Sequence, residues 1–245
     1  MNKIKNTASL MVRLYLKGHC FLSKLLSPQN CIRCGCLSDY ILCRQCLDYF
    51  YQIPVANRRC RVCGKILISE ITTCISCTED PLLVHTDSVF PVHAYRLWKK
   101  ELLFQWKICG NRSFSIIAAE MFHTVLNRYY PSLPVIPVPP RPGKIRNKGW
   151  DQINDVCILL KLQYGCKILP VLNRIERKQQ KKLSREERLH QLGRSYELKK
   201  NACIPAEVVV IDDIMTTGVT LENCAEVLKN AGVKKVHAVT LFIAD

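Results

Sequence analysis

Four Cys-x-x-Cys pairs follow one another in the first third of the chain: Cys31/Cys34, Cys43/Cys46, Cys60/Cys63 and Cys74/Cys77. The stretches between pairs are 8, 13 and 10 residues long. Each pair sets two thiolates on one side of a tight knuckle, and two knuckles supply the four sulfurs of the tetrahedron that Zn²⁺ prefers. Gly35 and Gly64 directly follow two of the knuckles, where the turn needs a permissive backbone. Eight cysteines in four pairs predict two zinc ions. With sulfur in every position, neither ion keeps a place for water or substrate, so both are read as structural. A segment this small needs its metal to fold. Pairing in sequence order closes the shorter loops. Cross-bracing the first pair with the third and the second with the fourth is the alternative, and Cys36 is a possible substitute for Cys34. Redox chemistry of the thioredoxin kind is a poor fit, because no pair opens a helix after a strand.

Nine of the fifteen cysteines fall between Cys31 and Cys77. Disulfides would require an oxidising compartment. The first 26 residues are apolar and basic, but Lys5, Arg13, Lys17 and Lys24 interrupt them, which is unlike a signal peptide. No run of about 18 apolar residues occurs, so no membrane span is expected. The chain reads as cytoplasmic, with reduced thiols. Residues 1–26 form an N-terminal segment with a short amphipathic helix over 8–26, built on Leu10, Leu14, Leu22 and Leu26. Cys20, Cys109, Cys157, Cys166, Cys203 and Cys224 read as small buried hydrophobes.

Beyond residues 27–80, the expected double zinc ribbon, periodicity divides residues 81–245 into alternating elements. Residues 82–92 look extended. Tyr95 to Lys107 is helical, with Leu97, Trp98, Leu102 and Trp106 on one face and Gly110 just past its end. Ser115 to Tyr129 is a second helix. Pro134 to Pro140 is a short strand ending in prolines, followed by a basic loop and a helix over 153–163. Val208–Ile211, Leu221–Asn230 and Val236–Phe242 read strand, helix, strand, with Gly232 at the helix end. Such alternation predicts an α/β domain with a largely parallel sheet.

Val208-Val209-Val210-Ile211 is apolar without alternation, as suits a strand covered on both faces. It leads into Asp212 and Asp213, and ligands bind such sheets at the carboxyl ends of the strands. Thr216-Thr217-Gly218-Val219-Thr220 then enters a helix, whose first N–H groups make an anion site. Gly218 lets the backbone approach a phosphate. Two acids beside a phosphate cradle suit a ribose 5-phosphate. A Thr before a helix is ordinarily just a cap; the ordered string is what carries information.

The formal charge is +16, from 36 basic and 20 acidic residues, which favours polyanions. Residues 141–200 alone hold 16 Lys or Arg against 6 Asp or Glu. Arg146, Lys148, Lys178, Lys181, Lys182, Arg185 and Arg188 are candidates for nucleic-acid phosphates, and Trp150, Tyr164 and Tyr196 for base stacking. Residues 174–194 read as a mobile or solvent-facing arm. The plainer use of these charges is to neutralise a pyrophosphate and solvate the arm.

Residues 208–220 resemble the signature of type I phosphoribosyltransferases. The cysteine ribbon, the Pro137-Val138-Pro139 loop, Gly149-Trp150-Asp151-Gln152, and the arm from Gln180 through Leu183, Arg188 and Gly193 to Tyr196 together resemble the ComF family, from about Leu22 to the end. Family members usually have Phe and Asn at 150 and 151, Asn at 191 and Phe at 196. The resemblance implies a zinc ribbon joined to a phosphoribosyltransferase-like domain, and a part in DNA uptake during natural competence. It places Asp212 and Asp213 on the ribose hydroxyls, Thr216, Thr217, Gly218, Val219 and Thr220 on the 5-phosphate, and Arg141 beside the pyrophosphate. Mg²⁺ would accompany phosphoribosyl pyrophosphate. Single-stranded DNA is the implied partner, with a competence helicase or another DNA-uptake protein as a further one. The competing reading is a working phosphoribosyltransferase in purine or nucleotide metabolism, with the ribbon as a docking module.

Overall fold

The computed structural model describes residues 29–53, 58–175 and 195–244. The expected helix over 8–26, most of the basic arm, and Lys178, Lys181, Lys182, Arg185 and Arg188 lie outside those residues. The elements in chain order begin with β1 (Gln29–Asn30), β2 (Leu37–Ser38), α1 (Arg44–Tyr51), α2 (Ile75–Glu79), β3 (Ser88–Ala94), α3 (Trp98–Lys107), α4 (Phe114–Tyr129) and β4 (Val135–Pro137). Then come α5 (Lys144–Lys148), α6 (Gln152–Tyr164), β5 (Leu172–Arg174), β6 (Tyr196–Leu198), β7 (Glu207–Met215), α7 (Val219–Asn230) and β8 (Lys235–Ile243).

The main sheet has the order β3-β8-β7-β4, and its three pairings are parallel. The molecule is thus α/β, as the alternation of elements predicts. Val208, Val209, Val210 and Ile211 are all buried, because helices or ribbons cover both sheet faces. Successive side chains on a strand point to opposite faces. Val209 and Ile211 accordingly join one apolar cluster and Val208 and Val210 the other.

Each cysteine ribbon belongs to a different one of these clusters. Cys31, Ile41, Leu42, Cys46 and Phe50 pack with α3, α4 and α6 on the first face. Cys60, Cys63, Leu67 and Cys74 pack with α7 and the second face. Phe50 is fully buried and touches the rings of His93, Trp98, Phe114 and Phe242. His93 Nε2 donates to the Phe50 carbonyl oxygen at 2.9 Å. Burial first, then the nearby Lys99 ammonium, lowers the His93 pKa to about 3, so this donor is a neutral imidazole. Gly64 holds the second ribbon close to the sheet: its φ is +71°, and a Cβ there would lie 2.1 Å from the Val89 carbonyl oxygen.

Several sequence expectations need correcting. The strand expected at Val208–Ile211 continues to Met215, so both acids sit inside it. Leu97 precedes α3 with φ 51° and is 83 % exposed, off the helical face on which periodicity placed it. Cys109 and Cys203 are exposed and Cys166 is half-buried, whereas Cys157 and Cys224 are buried as expected.

Truncating Phe50 to Ala should cost about 3–5 kcal/mol, because it empties a site shared by the first ribbon and the main core. Urea denaturation of the wild type and the variant measures this. A loss below about 1 kcal/mol would mean that the first ribbon does not contribute to the common core.

Candidate functional site

Two compact thiol clusters form: Cys31, Cys34, Cys43 and Cys46, and Cys60, Cys63, Cys74 and Cys77. Within each, the ligand atoms all lie within 4.8 Å of one another. A tetrahedral site with Zn–S of about 2.3 Å has sulfur–sulfur edges of about 3.8 Å. Cys34 and Cys43 Sγ are 3.7 Å apart, as are Cys63 and Cys74 Sγ. The grouping follows sequence order, so the cross-braced alternative is excluded. Cys36 stays outside the four, with its Sγ 3.4 Å from that of Cys34. Burial raises the Cys31 thiol, but backbone N–H groups of Cys43, Cys34 and Arg33 outweigh it and bring the pKa to about 6. Burial and the neighbouring thiols push Cys46 up to about 12. A first thiolate forms readily and opposes further ionisation, so a divalent cation suits the set.

At the carboxyl end of the sheet, strand alternation sends the two acids of β7 to opposite faces. Asp213 turns toward α3 and α6. It is 2 % exposed. Lys107 Nζ lies 2.8 Å from its Oδ2 and 3.1 Å from its Oδ1, and the Gln152 side-chain amide also donates to Oδ2. Asp212 turns toward α7, beside Cys224 and Tyr196, and keeps partial exposure. Its Oδ1 accepts from the Asp213 backbone N–H at 2.8 Å. Burial, followed by the charge of Asp213, raises the Asp212 carboxyl to about 8.

The segment after β7 has exposed Thr216 and Thr217, then Gly218 at φ 85° as the N-cap of α7. Gly218 has no side chain with which to cap the helix, so among the described residues the first N–H groups of α7 are left for an anion. Gly218 is also tight against the other side of the molecule, where a Cβ would meet Leu83 Cδ2 at 3.0 Å. The Leu83 segment is tied down by Glu222 in the first turn of α7. That carboxylate accepts from the backbone N–H groups of Val84, His85 and Thr86 at 2.9, 2.6 and 3.2 Å, and from the Thr86 hydroxyl at 2.9 Å. A cavity of about 290 Å³ between Cys74, Cys77, Thr216 and Thr217 separates the second ribbon from the loop.

Across the crevice, α5 brings cations. Lys144 Nζ lies 2.6 Å from Asp151 Oδ2 and 2.7 Å from Gln152 Oε1. Asp151 caps α6, accepting from Ile153 and Asn154 N–H at 3.0 Å each. Asp151 is therefore neutralised by Lys144 and committed to the cap. Lys148 donates to the Lys107 carbonyl and sits 4.6 Å from the centre of the Trp150 ring. Arg141 and Arg146 are exposed. Beside Val138, Pro139 and Pro140 lies a cavity of about 420 Å³, walled by Leu172, Arg174 and Glu197 of the β5–β6 hairpin.

Two stacking candidates are withdrawn from solvent. Trp150 is 8 % and Tyr196 4 % exposed, each packed in an apolar cluster. Tyr164 is half-buried and already stacked on His123, with centroids 4.0 Å apart. Exposed rings lie elsewhere, including Tyr40 and Tyr49 on the first ribbon, with the Arg33 guanidinium 3.6 Å from the Tyr49 ring centre. Lys107 and Glu222 escaped sequence reasoning, and Gln152 entered it only as a member of the Gly149-Trp150-Asp151-Gln152 motif, without its partner Asp213. Each is remote in sequence from its partner, and no local spacing announces the contact.

A family model described as Phosphoribosyl transferase domain matches residues 176–245. Competence protein ComFC of Streptococcus pneumoniae (strain ATCC BAA-255 / R6) is 26 % identical over 208 residues, which cover 83 % of this chain and 88 % of that protein. The resemblance to the ComF family read from the sequence is borne out over most of the chain. Among the described residues, no helix is long and apolar enough to cross a membrane.

Two predictions follow from the geometry. Native mass spectrometry should find two zinc ions in the wild type and one in a Cys60→Ser/Cys63→Ser variant that remains folded. Loss of both ions from that variant would indicate shared ligands. For Asp212, the raised pKa means that the folded chain holds a proton which the unfolded carboxyl, near 3.8, has lost. The associated stability is complete below the unfolded value and is lost as pH rises through about 8. Asp212→Asn should therefore match the wild type at about pH 4 and exceed it in stability at about pH 8. An Asn variant that gains nothing on the alkaline side contradicts the assignment.

Proposed function

We propose, from the likeness to ComF-family proteins, that this chain acts in DNA uptake during competence, in the cytoplasm, binding single-stranded DNA and a phosphoribosyl pyrophosphate-type ligand. The observation that carries the ligand reading is the partly exposed Asp212 near the carboxyl end of β7, a buried parallel strand that leads through Thr216 and Thr217 to the start of α7, where the cap residue is Gly218. The 5-phosphate would rest on the N–H groups and hydroxyls of Thr216, Thr217, Gly218, Val219 and Thr220, as the anion site of a helix start allows. Asp212 would accept from ribose hydroxyls. Arg141 and Lys148 lie in the loop and helix that face the pyrophosphate end.

Mg²⁺ fits this donor set. It is a hard cation that takes a carboxylate or two plus substrate phosphate oxygens, and Asp212 offers such a carboxylate. When bound, it would neutralise the pyrophosphate charge and favour the ionised form of Asp212. The chain's own residues then bind and orient: the loop fixes the sugar phosphate, and the lysines stabilise negative charge.

Supporting the DNA reading is the density of positive charge over residues 141–200, with Arg146 exposed and Lys148 partly so. Because Trp150 and Tyr196 are buried, contact there is with backbone phosphates, and sequence preference should be weak. A competence helicase or another DNA-uptake protein is the macromolecular partner that suits this role. The second reading, pentosyl transfer to a base or amine in purine or nucleotide metabolism, is favoured by the 420 Å³ cavity beside Val138, which has room for an acceptor.

Fluorescence anisotropy with labelled oligonucleotides tests the DNA reading. Affinity should fall with salt at a log–log slope of about −0.7 for each phosphate contacted, and Arg146→Ala/Lys148→Ala should flatten that slope. No binding, or binding indifferent to salt, removes the DNA role. Release of pyrophosphate in the presence of a base, amine or ammonia would instead establish the transferase.

A further inference from the structure

The unusual feature of the crevice is that its two acids are not equivalent. Asp213 is the more buried, and both its oxygens are engaged inside the protein by Lys107 and Gln152. Nothing of that carboxylate is left pointing at solvent. A ribose hydroxyl could reach it only by displacing a buried ion pair, and breaking such a pair strands a charge at high cost. Asp212 faces the other side of the strand and keeps exposure.

Lys107 is the residue that Asp213 holds. It is the last residue of α3, with its side chain 35 % exposed against 3 % for Asp213. The lysine side chain is therefore partly reachable from solvent, whereas the carboxylate that it binds is not. Lys148 bonds its carbonyl oxygen, and Lys144 reaches the same Gln152 that contacts Asp213. Three ammonium groups thus converge at one end of the site. Their paired acids, Asp213 and Asp151, number two. Among the described residues no carboxylate forms an ion pair with Lys148, and its pKa is lowered by burial first and then by Lys144 and Lys107. Crowded cations of this kind gain most from an anion carrying several charges.

We propose that Lys107 contacts the pyrophosphate group of the bound ligand, and that Asp213 is a positioning residue that holds Lys107 and does not touch the ribose. The assignment rests on the ligand reading given above. It divides the acid pair by role: Asp212 serves the sugar, and Asp213 serves the cation that serves the pyrophosphate.

Calorimetric titration with phosphoribosyl pyrophosphate and, separately, ribose 5-phosphate, both with Mg²⁺, distinguishes the roles. The two ligands share the sugar phosphate and differ in the pyrophosphate. Lys107→Met should weaken phosphoribosyl pyrophosphate about tenfold to a hundredfold, the range for losing a charged hydrogen bond, and leave ribose 5-phosphate within about twofold. Asp213→Asn should show the same split, whereas Asp212→Asn should weaken both ligands. Lys107→Arg keeps the ion pair and should restore much of the affinity. Thermal melts of each variant separate unfolding from lost contact, and the arginine variant keeps the test open if the methionine variant is unstable. If Asp213→Asn weakens ribose 5-phosphate as much as phosphoribosyl pyrophosphate, Asp213 holds the sugar and the proposal is overturned. An unchanged Lys107→Met affinity overturns it too. A wild type that binds neither ligand defeats the ligand reading itself, which is a different result from variants that match a binding wild type.

Discussion

Side-chain alternation along β7 organises this molecule. Four consecutive apolar residues, Val208 to Ile211, supply both faces of the sheet in turn, and the two apolar clusters of the protein are built on those faces. The same alternation continues through the acids. Asp213 falls among α3 and α6, where only a charged partner makes burial tolerable, and Lys107 supplies it. Asp212 falls toward α7, where burial and Asp213 raise its pKa and partial exposure leaves it reachable. A shift of one residue in register would exchange these environments.

The two cysteine ribbons depend on the same sheet. Neither is a free-standing appendage, for Phe50 carries the first into one cluster and Leu67 carries the second into the other. Gly64 brings the second ribbon against the β3 backbone so closely that a methyl group would collide with Val89. From that ribbon the chain runs along Leu83, which touches Gly218, and through the backbone N–H groups of Val84, His85 and Thr86, which bind Glu222. The back of the loop at 216–218 is therefore built by the segment that leaves the second cysteine ribbon. The thiol clusters, the apolar packing and the start of α7 are physically continuous here.

Much of this was legible in the sequence because the signals are local. Cys-x-x-Cys spacing gave the knuckles, and short loop closure gave the correct pairing of Cys31–Cys46 and Cys60–Cys77. Strands alternating with helices gave the parallel sheet, and the β7 string led to a helix start with glycine at its cap. What the sequence hid is long-range. Lys107 meets Asp213 across more than a hundred residues, and Glu222 meets Thr86 across a similar span. Trp150 looked like a stacking platform because aromatic residues beside lysines suggest one; its burial follows from packing in the α3–α6 cluster, which no local pattern records. Asp151 stands where the resembling family usually has Asn, and here it is a helix cap paired with Lys144.

The central claim is that the end of β7 is a sugar-phosphate site whose acids have separate tasks. A structure of the protein crystallised with phosphoribosyl pyrophosphate and Mg²⁺ tests it most directly. The account predicts the 5-phosphate on the N–H groups of residues 216–220, Asp212 at the ribose hydroxyls, and the Lys107–Asp213 pair intact with its ammonium turned to the pyrophosphate. A ligand bound elsewhere, or a ribose seated on Asp213 with Lys107 displaced, would contradict it.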